Sequence, residues 1–231
     1  MKRENSTALR TPLKALLLFL TILMAFSQAQ AQFPVRFALV AAPMVSWHCI
    51  DNPDLDAGNP RLGFQYGLTA DYALDEASRY AFSSGILITQ GGGQINQTWD
   101  SSSVVLDAKN RLTHLEIPVT MKLTAMEFNY LKFFGQIGLT PGVNIRARGD
   151  LDVDGTALGA PLEPFENAKL ENVNRFHLAL SVGGGVAYSL GEHTAVHGGI
   201  FYDNGLTNIY TDNDDDKISL NRVILRLGFQ F

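Results

Sequence analysis

The chain has 231 residues, 46% of them hydrophobic and 10% aromatic, with 18 Lys+Arg against 23 Asp+Glu. A formal net charge of −5 argues against the clustered basic surface that nucleic acid demands, so no nucleic-acid partner is expected. The single Cys49 rules out an intramolecular disulfide.

The first element is not structural. Lys2, Arg3, Arg10 and Lys14 form a basic head, Ala15 to Phe26 an uncharged apolar run, and Ala29-Gln30-Ala31 a small-x-small box. The run is shorter than the roughly 20 residues that span a bilayer as a helix. The order basic, apolar, small-x-small reads as a secretory signal peptide over 1–31, cleaved before Gln32, with Ser27-Gln28-Ala29 as a second possible site. Its removal takes four basic residues and one acid, leaving 14 Lys+Arg and 22 Asp+Glu, a net charge of −8. No later apolar stretch reaches about 18 residues, so no helical anchor follows.

The rest alternates with period two, which is the pattern of strands with two unlike faces. After a less regular strand near 35–48, Phe64, Tyr66, Leu68, Ala70, Tyr72 and Leu74 oppose Gly63, Gln65, Gly67, Thr69 and Asp71. A third strand near 80–90 precedes a fourth, in which Leu115, Ile117, Val119, Met121 and Leu123 oppose His114, Glu116, Thr120 and Lys122. In the fifth, Leu131, Phe133, Ile137, Leu139, Val143 and Ile145 oppose Lys132, Gln136, Gly138, Thr140, Asn144 and Arg146. The sixth runs through Phe176–Ser189 and the seventh lies near 194–204. In the eighth, Val223, Leu225, Leu227, Phe229 and Phe231 oppose Arg222, Arg226, Gly228 and Gln230.

Eight such strands fit a soluble ligand-binding barrel or a membrane barrel turned inside out. Charges on the polar face (Asp71, Glu116, Lys122, Lys132, Arg146, Arg226) suit a small membrane-barrel interior better than an apolar ligand pocket. Aromatics gather toward the strand ends of the apolar face: Trp47, Phe64, Phe176 and Tyr202 as one girdle; Phe37, Tyr72, Phe82, Phe133, Tyr188 and Phe229 as the other. Tight turns at 75–79, 125–129 and 191–193 alternate with long polar loops at 49–60, 91–112, 147–174 and 205–217. Short periplasmic turns and long external loops follow this pattern in outer-membrane barrels, with both termini periplasmic. The expected fold is all-β: an eight-stranded antiparallel up-and-down transmembrane β-barrel over 32–231, in the cell outer membrane and surrounded by its lipid. Pro43, Pro118 and Pro141 interrupt strand patterns, where bulges or loosened pairing are expected.

The run Phe82-Ser83-Ser84-Gly85-Ile86-Leu87-Ile88, then Leu115-Glu116-Ile117-Pro118-Val119, resembles the PorT-like outer-membrane β-barrel family. The glycine-rich strand Val182 to Leu190 and the terminal Arg226-Leu227-Gly228-Phe229-Gln230-Phe231 fit it too. The resemblance spans nearly all of 32–231. It implies a Gram-negative outer-membrane barrel and an accessory role in a secretion or envelope system, with a protein of that system as partner. The terminal Phe231 resembles the signal read by the barrel-assembly machinery, the expected partner during biogenesis.

Four candidate chemistries stand on individual residues. Asp71, Glu116, Lys122, Lys132 and Arg226 form a candidate charge network in the lumen. Asp150, Asp152 and Asp154 precede Gly155 at the spacing that opens a calcium loop, but position twelve is Pro161 where such a loop carries Glu, so a solvated acidic loop is the favoured reading and no other cofactor is expected. Ser46, His48 and His114 share an inward rim without the context of a catalytic triad, and an enzyme is not expected. His177 and His197, on adjacent strands, read as lumen hydrogen-bonders and not as a metal pair. A structural or interaction scaffold that displays acidic loops is the leading function. A small channel is the alternative, and a rim hydrolase or acyltransferase is a further one.

Overall fold

The computed structural model describes residues 35–50, 56–99, 104–125, 130–154, 165–170, 172–191, 194–211 and 217–231. The signal-peptide reading and its cleavage box fall outside them. Twelve strands follow in order: β1 (Val35–Ile50), β2 (Asp56–Ala57), β3 (Arg61–Ala73), β4 (Tyr80–Gly91), β5 (Gln94–Trp99) and β6 (Val104–Glu116), then β7 (Val119–Thr124), β8 (Leu131–Asp154), β9 (Phe165–Lys169), β10 (Phe176–Ser189), β11 (Ala195–Gly205) and β12 (Ile218–Gln230). No helix among the described residues is long and apolar enough to cross a membrane.

β6 and β7 are one stave broken at Ile117-Pro118. With that stave the ladder runs β1, β3, β4, β6/β7, β8, β10, β11, β12 and returns to β1, an antiparallel ring of eight staves. Beyond the ring's last strand, Phe231 donates its N–H to the Phe37 carbonyl (2.8 Å) and accepts that of Phe37 (3.1 Å). Closure leaves no free sheet edge around the ring, so its backbone groups can be satisfied without water.

Alternation decides which side chains fill the ring. In β1, Ala38, Val40, Ala42, Met44, Ser46 and His48 are buried while Phe37, Leu39 and Val45 are exposed. In β12, Arg222, Ile224, Arg226 and Gln230 are buried while Val223, Leu225, Leu227 and Phe229 face out. The exposed face is a continuous apolar band, the reverse of a soluble protein, and lipid is the solvent it suits. Phe176 and Tyr188 of β10 mark its limits: twelve residues at about 3.3 Å each, tilted about 40°, span about 30 Å. Trp47 and Tyr202 meet across the surface at 6.3 Å between ring centroids on the side of Phe176. Tyr72 and Phe82 are directly paired on the side of Tyr188.

Three sequence expectations are corrected. First, the described residues of the loops expected at 91–112 and 147–174 are largely strand. β5 pairs with β6 from Gln94↔Lys109 to Trp99↔Val104, β6 pairs with β8 out to Val105↔Asp154, and β9 returns along β8. The wall therefore continues past the apolar band as a polar ledge. Second, of the bulges or loosened pairing expected at the prolines, the bulges do not occur. Pairing across Pro118 keeps one register on both sides (Leu87↔Glu116 and Ser84↔Val119; Gly142↔Glu116 and Leu139↔Val119), so only ladder bonds are lost. The same holds at Pro43, between Ala41↔Leu227 and Met44↔Ile224.

Third, the bulge lies where no proline stands. His114 pairs with Asn144 but Thr113 with Arg146, which leaves Ile145 as the extra residue of β8. One extra residue reverses the facing of everything beyond it. Arg146, expected inward, is consequently exposed, while Ala147 lies opposite the buried Leu112.

Candidate functional site in the barrel lumen

The inward side chains form layers. Nearest the termini, Lys122 Nζ meets Asp71 Oδ2 at 2.6 Å, and Ser83 donates to Asp71 Oδ1 at 2.6 Å. Above them, the guanidinium of Arg226 lies 4.1 Å from the ring centroid of Phe201 and donates to Gln65 Oε1 at 3.2 Å. Ala42, Met44, Phe134, Phe201 and Ile224 pack as an apolar layer at this height.

The next layer is a buried, hydrogen-bonded set of charges. Glu116 Oε1 receives Arg222 Nη1 at 2.6 Å, and Arg222 Nη2 reaches Asp203 Oδ2 at 2.8 Å. Glu116 Oε2 accepts from Thr89 Oγ1 at 2.6 Å and from Gln65 Nε2 at 3.2 Å. Glu116 and Arg222 are fully buried and Asp203 nearly so. The chain Arg226–Gln65–Glu116–Arg222–Asp203 ties together β12, β3, β6 and β11, so it works as a clamp across the lumen. Buried charges are tolerated when paired and hydrogen-bonded in this way. Beside it the rings of His114 and His177 stack at 4.8 Å, with His177 Nε2 4.0 Å from Glu116 Oε1.

At the end away from the termini, Leu112, Ile209, Ile218 and Leu220 close the interior as an apolar plug. Beside it, His48 Nε2 meets Asn110 Oδ1 at 3.0 Å, and Asn110 Nδ2 donates to the Tyr210 hydroxyl at 2.9 Å. Burial pushes the Tyr210 phenol above its ordinary pKa, with the Asn110 hydrogen bond pulling the other way. The glycines of 91–93 make room here. A Cβ on Gly93 would lie 2.3 Å from the imidazole of His48.

Set against the sequence, Asp71, Glu116, Lys122 and Arg226 lie in the lumen, but in two sets and not one network. Asp71 holds Lys122, whereas Glu116 is held by Arg222, with Gln65 linking it to Arg226. Lys132 is on the inward face of β8 opposite Ala187, half-buried and in contact with a partner. Asp203 and Arg222 complete the central clamp and were not among the candidate charges. Arg222 was legible as an inward residue of the last strand. Asp203 follows Tyr202 in β11, where Gly198, Gly199 and Gly205 blur the alternation.

Ser46 donates to the Gly92 carbonyl at 2.6 Å and accepts the Gly92 N–H at 3.0 Å, so its hydroxyl is engaged by backbone and not by His48 or His114. His177 and His197 do not sit together. His177 is level with Gly142 and His197 with Ala187, ten residues apart along β10. Both rings lie on inward faces, and among the described residues the atoms His177 Nε2 and His197 Nδ1 have no hydrogen-bond partner.

Asp150, Asp152 and Asp154 lie in an extended strand and not in a loop, paired opposite Lys109, Asp107 and Val105. A calcium loop wraps around its ion, whereas an extended strand spreads alternate carboxylates along a line. Asp150 accepts the Asn167 N–H at 2.6 Å, and the side chains of Asp152 and Asp154 lie outside the described residues. Among the described residues no three His, Cys, Asp or Glu converge as a metal site.

A family model described as "Outer membrane protein beta-barrel domain" matches residues 26–211. The chain belongs to that family. It is an outer-membrane β-barrel, with the apolar band in lipid and the charge clamp in its lumen. No curated protein matches it. Among solved structures it is similar to OprG of Pseudomonas aeruginosa (12% identity, 85% of this chain and 95% of that one, TM-score 0.47). It is also similar to Neisserial surface protein A (13%, 84% and 95%, 0.43) and to Ail of Yersinia pestis, solved with the heparin analogue sucrose octasulfate (12%, 85% and 99%, 0.36). At these identities the likeness concerns fold.

Proposed function

We propose that this outer-membrane barrel is a closed scaffold that displays its polar ledge to a partner at the cell surface, and neither a pore nor an enzyme. The observation that carries the reading is the filled lumen. The Glu116–Arg222–Asp203 clamp spans it, an apolar plug lies above, and the cavity beside Asp71, Lys122 and Arg226 is only about 20 Å³, room for about one water. Eight staves leave a bore just wide enough for side chains, and here side chains occupy it. The PorT-like resemblance supports a partner belonging to a secretion or envelope system, and the termini would face the periplasm. Planar-bilayer recording on refolded protein is expected to show no unitary current above the lipid baseline. Stable, reproducible conductance steps would replace the scaffold with the small-channel reading.

A further inference from the structure

The outer surface of the barrel carries a cleft that the lumen does not explain. β8 and β10 are paired up to Val143↔Phe176, and β8 pairs again, with β9, from Arg148↔Lys169 onward. Between these stretches the Ile145 bulge turns β8, and the segment before β10 is drawn the other way. Asn174 donates its N–H to Ile209 O, Thr211 donates its N–H to Asn172 O, and Val173 bridges Tyr210. Among the described residues, only the backbone bonds Asn144 N–H to Arg175 O (2.7 Å) and Leu170 N–H to Ala147 O (3.3 Å) span the seam. The wall parts into a cleft of about 480 Å³, within the range of ligand sites.

Its lining is cationic. Arg146, Arg148, Lys169 and Arg175 contribute four positive charges, Asn144 and Asn167 contribute amides, and no carboxylate among the described residues lines it. Arg111 lies opposite Arg148 on the neighbouring strand, so Arg111, Arg148 and Lys169 stand in a row across three strands. Like charges placed directly opposite one another are destabilising, and a solvated surface would interleave them with acids. Here they gather on a chain whose overall charge is −5. An anion resolves the repulsion. Guanidinium groups match a phosphate with two parallel hydrogen bonds, so three arginines around one cleft suit phosphate better than a lone carboxylate.

The height of the cleft selects the source of the phosphate. Arg175 is followed by Phe176, 57% exposed at the limit of the apolar band, and Arg146 follows Ile145, 59% exposed. The cations thus begin one residue beyond the lipid-facing surface, where headgroups lie. We infer that the cleft lined by Asn144, Arg146, Arg148, Lys169 and Arg175 binds the phosphate groups of a membrane lipid headgroup, its acyl chains lying along the outward Val143, Ile145 and Phe176.

The test uses the full-length mature barrel in uncharged detergent micelles, folded form verified by heat-dependent gel mobility, and native mass spectrometry to count retained lipid. The probes are lipid A with both phosphates, the same lipid dephosphorylated, and inorganic pyrophosphate. Wild-type protein is expected to retain the bisphosphorylated lipid and not the dephosphorylated one, with pyrophosphate binding far more weakly. Arg148→Gln is expected to weaken retention about tenfold, the scale of one charge-assisted bidentate contact, and Arg148→Lys by less. Arg175→Gln, outside the strands, serves the same purpose should Arg148→Gln fail to fold. Equal retention by wild type and variants, or by both lipids, overturns the site. Pyrophosphate bound as tightly as lipid overturns the lipid assignment. None of these outcomes depends on whether the lumen conducts.

Discussion

Glu116 is the residue on which most of the lumen converges. Its two oxygens serve Arg222, Thr89 and Gln65, and it is fully buried. Removing one member of such a set leaves a charge without compensation, which typically costs about 3–5 kcal/mol. Glu116→Ala is therefore expected to lower the urea midpoint of the detergent-refolded barrel by an amount in that range, while Glu116→Gln, which keeps an acceptor for Thr89 and Gln65, costs less. An unchanged midpoint in Glu116→Ala would mean that water reaches Arg222, and with it that the lumen is open. The importance of Glu116 was visible in the sequence, as a carboxylate on the polar face of an alternating strand. Its partner was not. Pairing in a barrel joins residues such as Glu116 and Arg222, 106 positions apart, and alternation fixes only the face of each, not its height.

At the scale of elements, period two identified the staves wherever one face meets lipid, because there the contrast between faces is greatest. Beyond the apolar band both faces meet polar surroundings, and the contrast fades, so Val104–Lys109 and Phe165–Lys169 read as loop although they are strand. Asp150-Leu151-Asp152-Val153-Asp154 shows the ambiguity most clearly. Its alternation is strand-like, yet three spaced carboxylates also imitate the start of a calcium loop, and ladder pairing with β6 decides for strand. The Ile145 bulge carries no sequence signal at all, since neither Gly nor Pro marks it. Its effect can be isolated. Deleting Ile145 removes the unpaired residue, so that Asn144 opposite His114 and Arg146 opposite Thr113 become consecutive partners; the facings persist and only the local bend of β8 is lost. The deletion is expected to leave the barrel folded while straightening β8 and abolishing lipid retention in the cleft. Ile145→Val, which keeps an apolar side chain on the lipid-facing surface, should stay within about 0.5 kcal/mol of wild type in detergent. A deletion variant that retains lipid as well as wild type would show that the bulge does not shape the cleft.

For the whole molecule, the unequal ends of the barrel carry the argument about orientation. The end with the termini is closed by short connections, as at 74–79, where Tyr80 donates its N–H to Asp75 Oδ1 at 2.9 Å. The other end extends into the ledge of β2, β5, β6, β8 and β9. Insertion from the periplasm requires the assembling hairpins to carry one set of connections through the bilayer, while the ring itself must stay intact because lipid offers no hydrogen bonds to an open edge. Variation in length is thereby confined to the connections, and in outer-membrane barrels the long set lies outside. If the ledge is external, a peptide tag inserted between Gly159 and Ala160 will be bound by antibody on intact cells, and the same tag between Glu76 and Ala77 only after permeabilisation. Both insertion points avoid the ring, so heat-modifiable folding should persist in each. Labelling of intact cells at residue 76 but not at 159 would invert the barrel. The cationic cleft would then lie at the periplasmic headgroups, its lipid would come from the inner leaflet, and the partner of the ledge would have to be sought within the envelope.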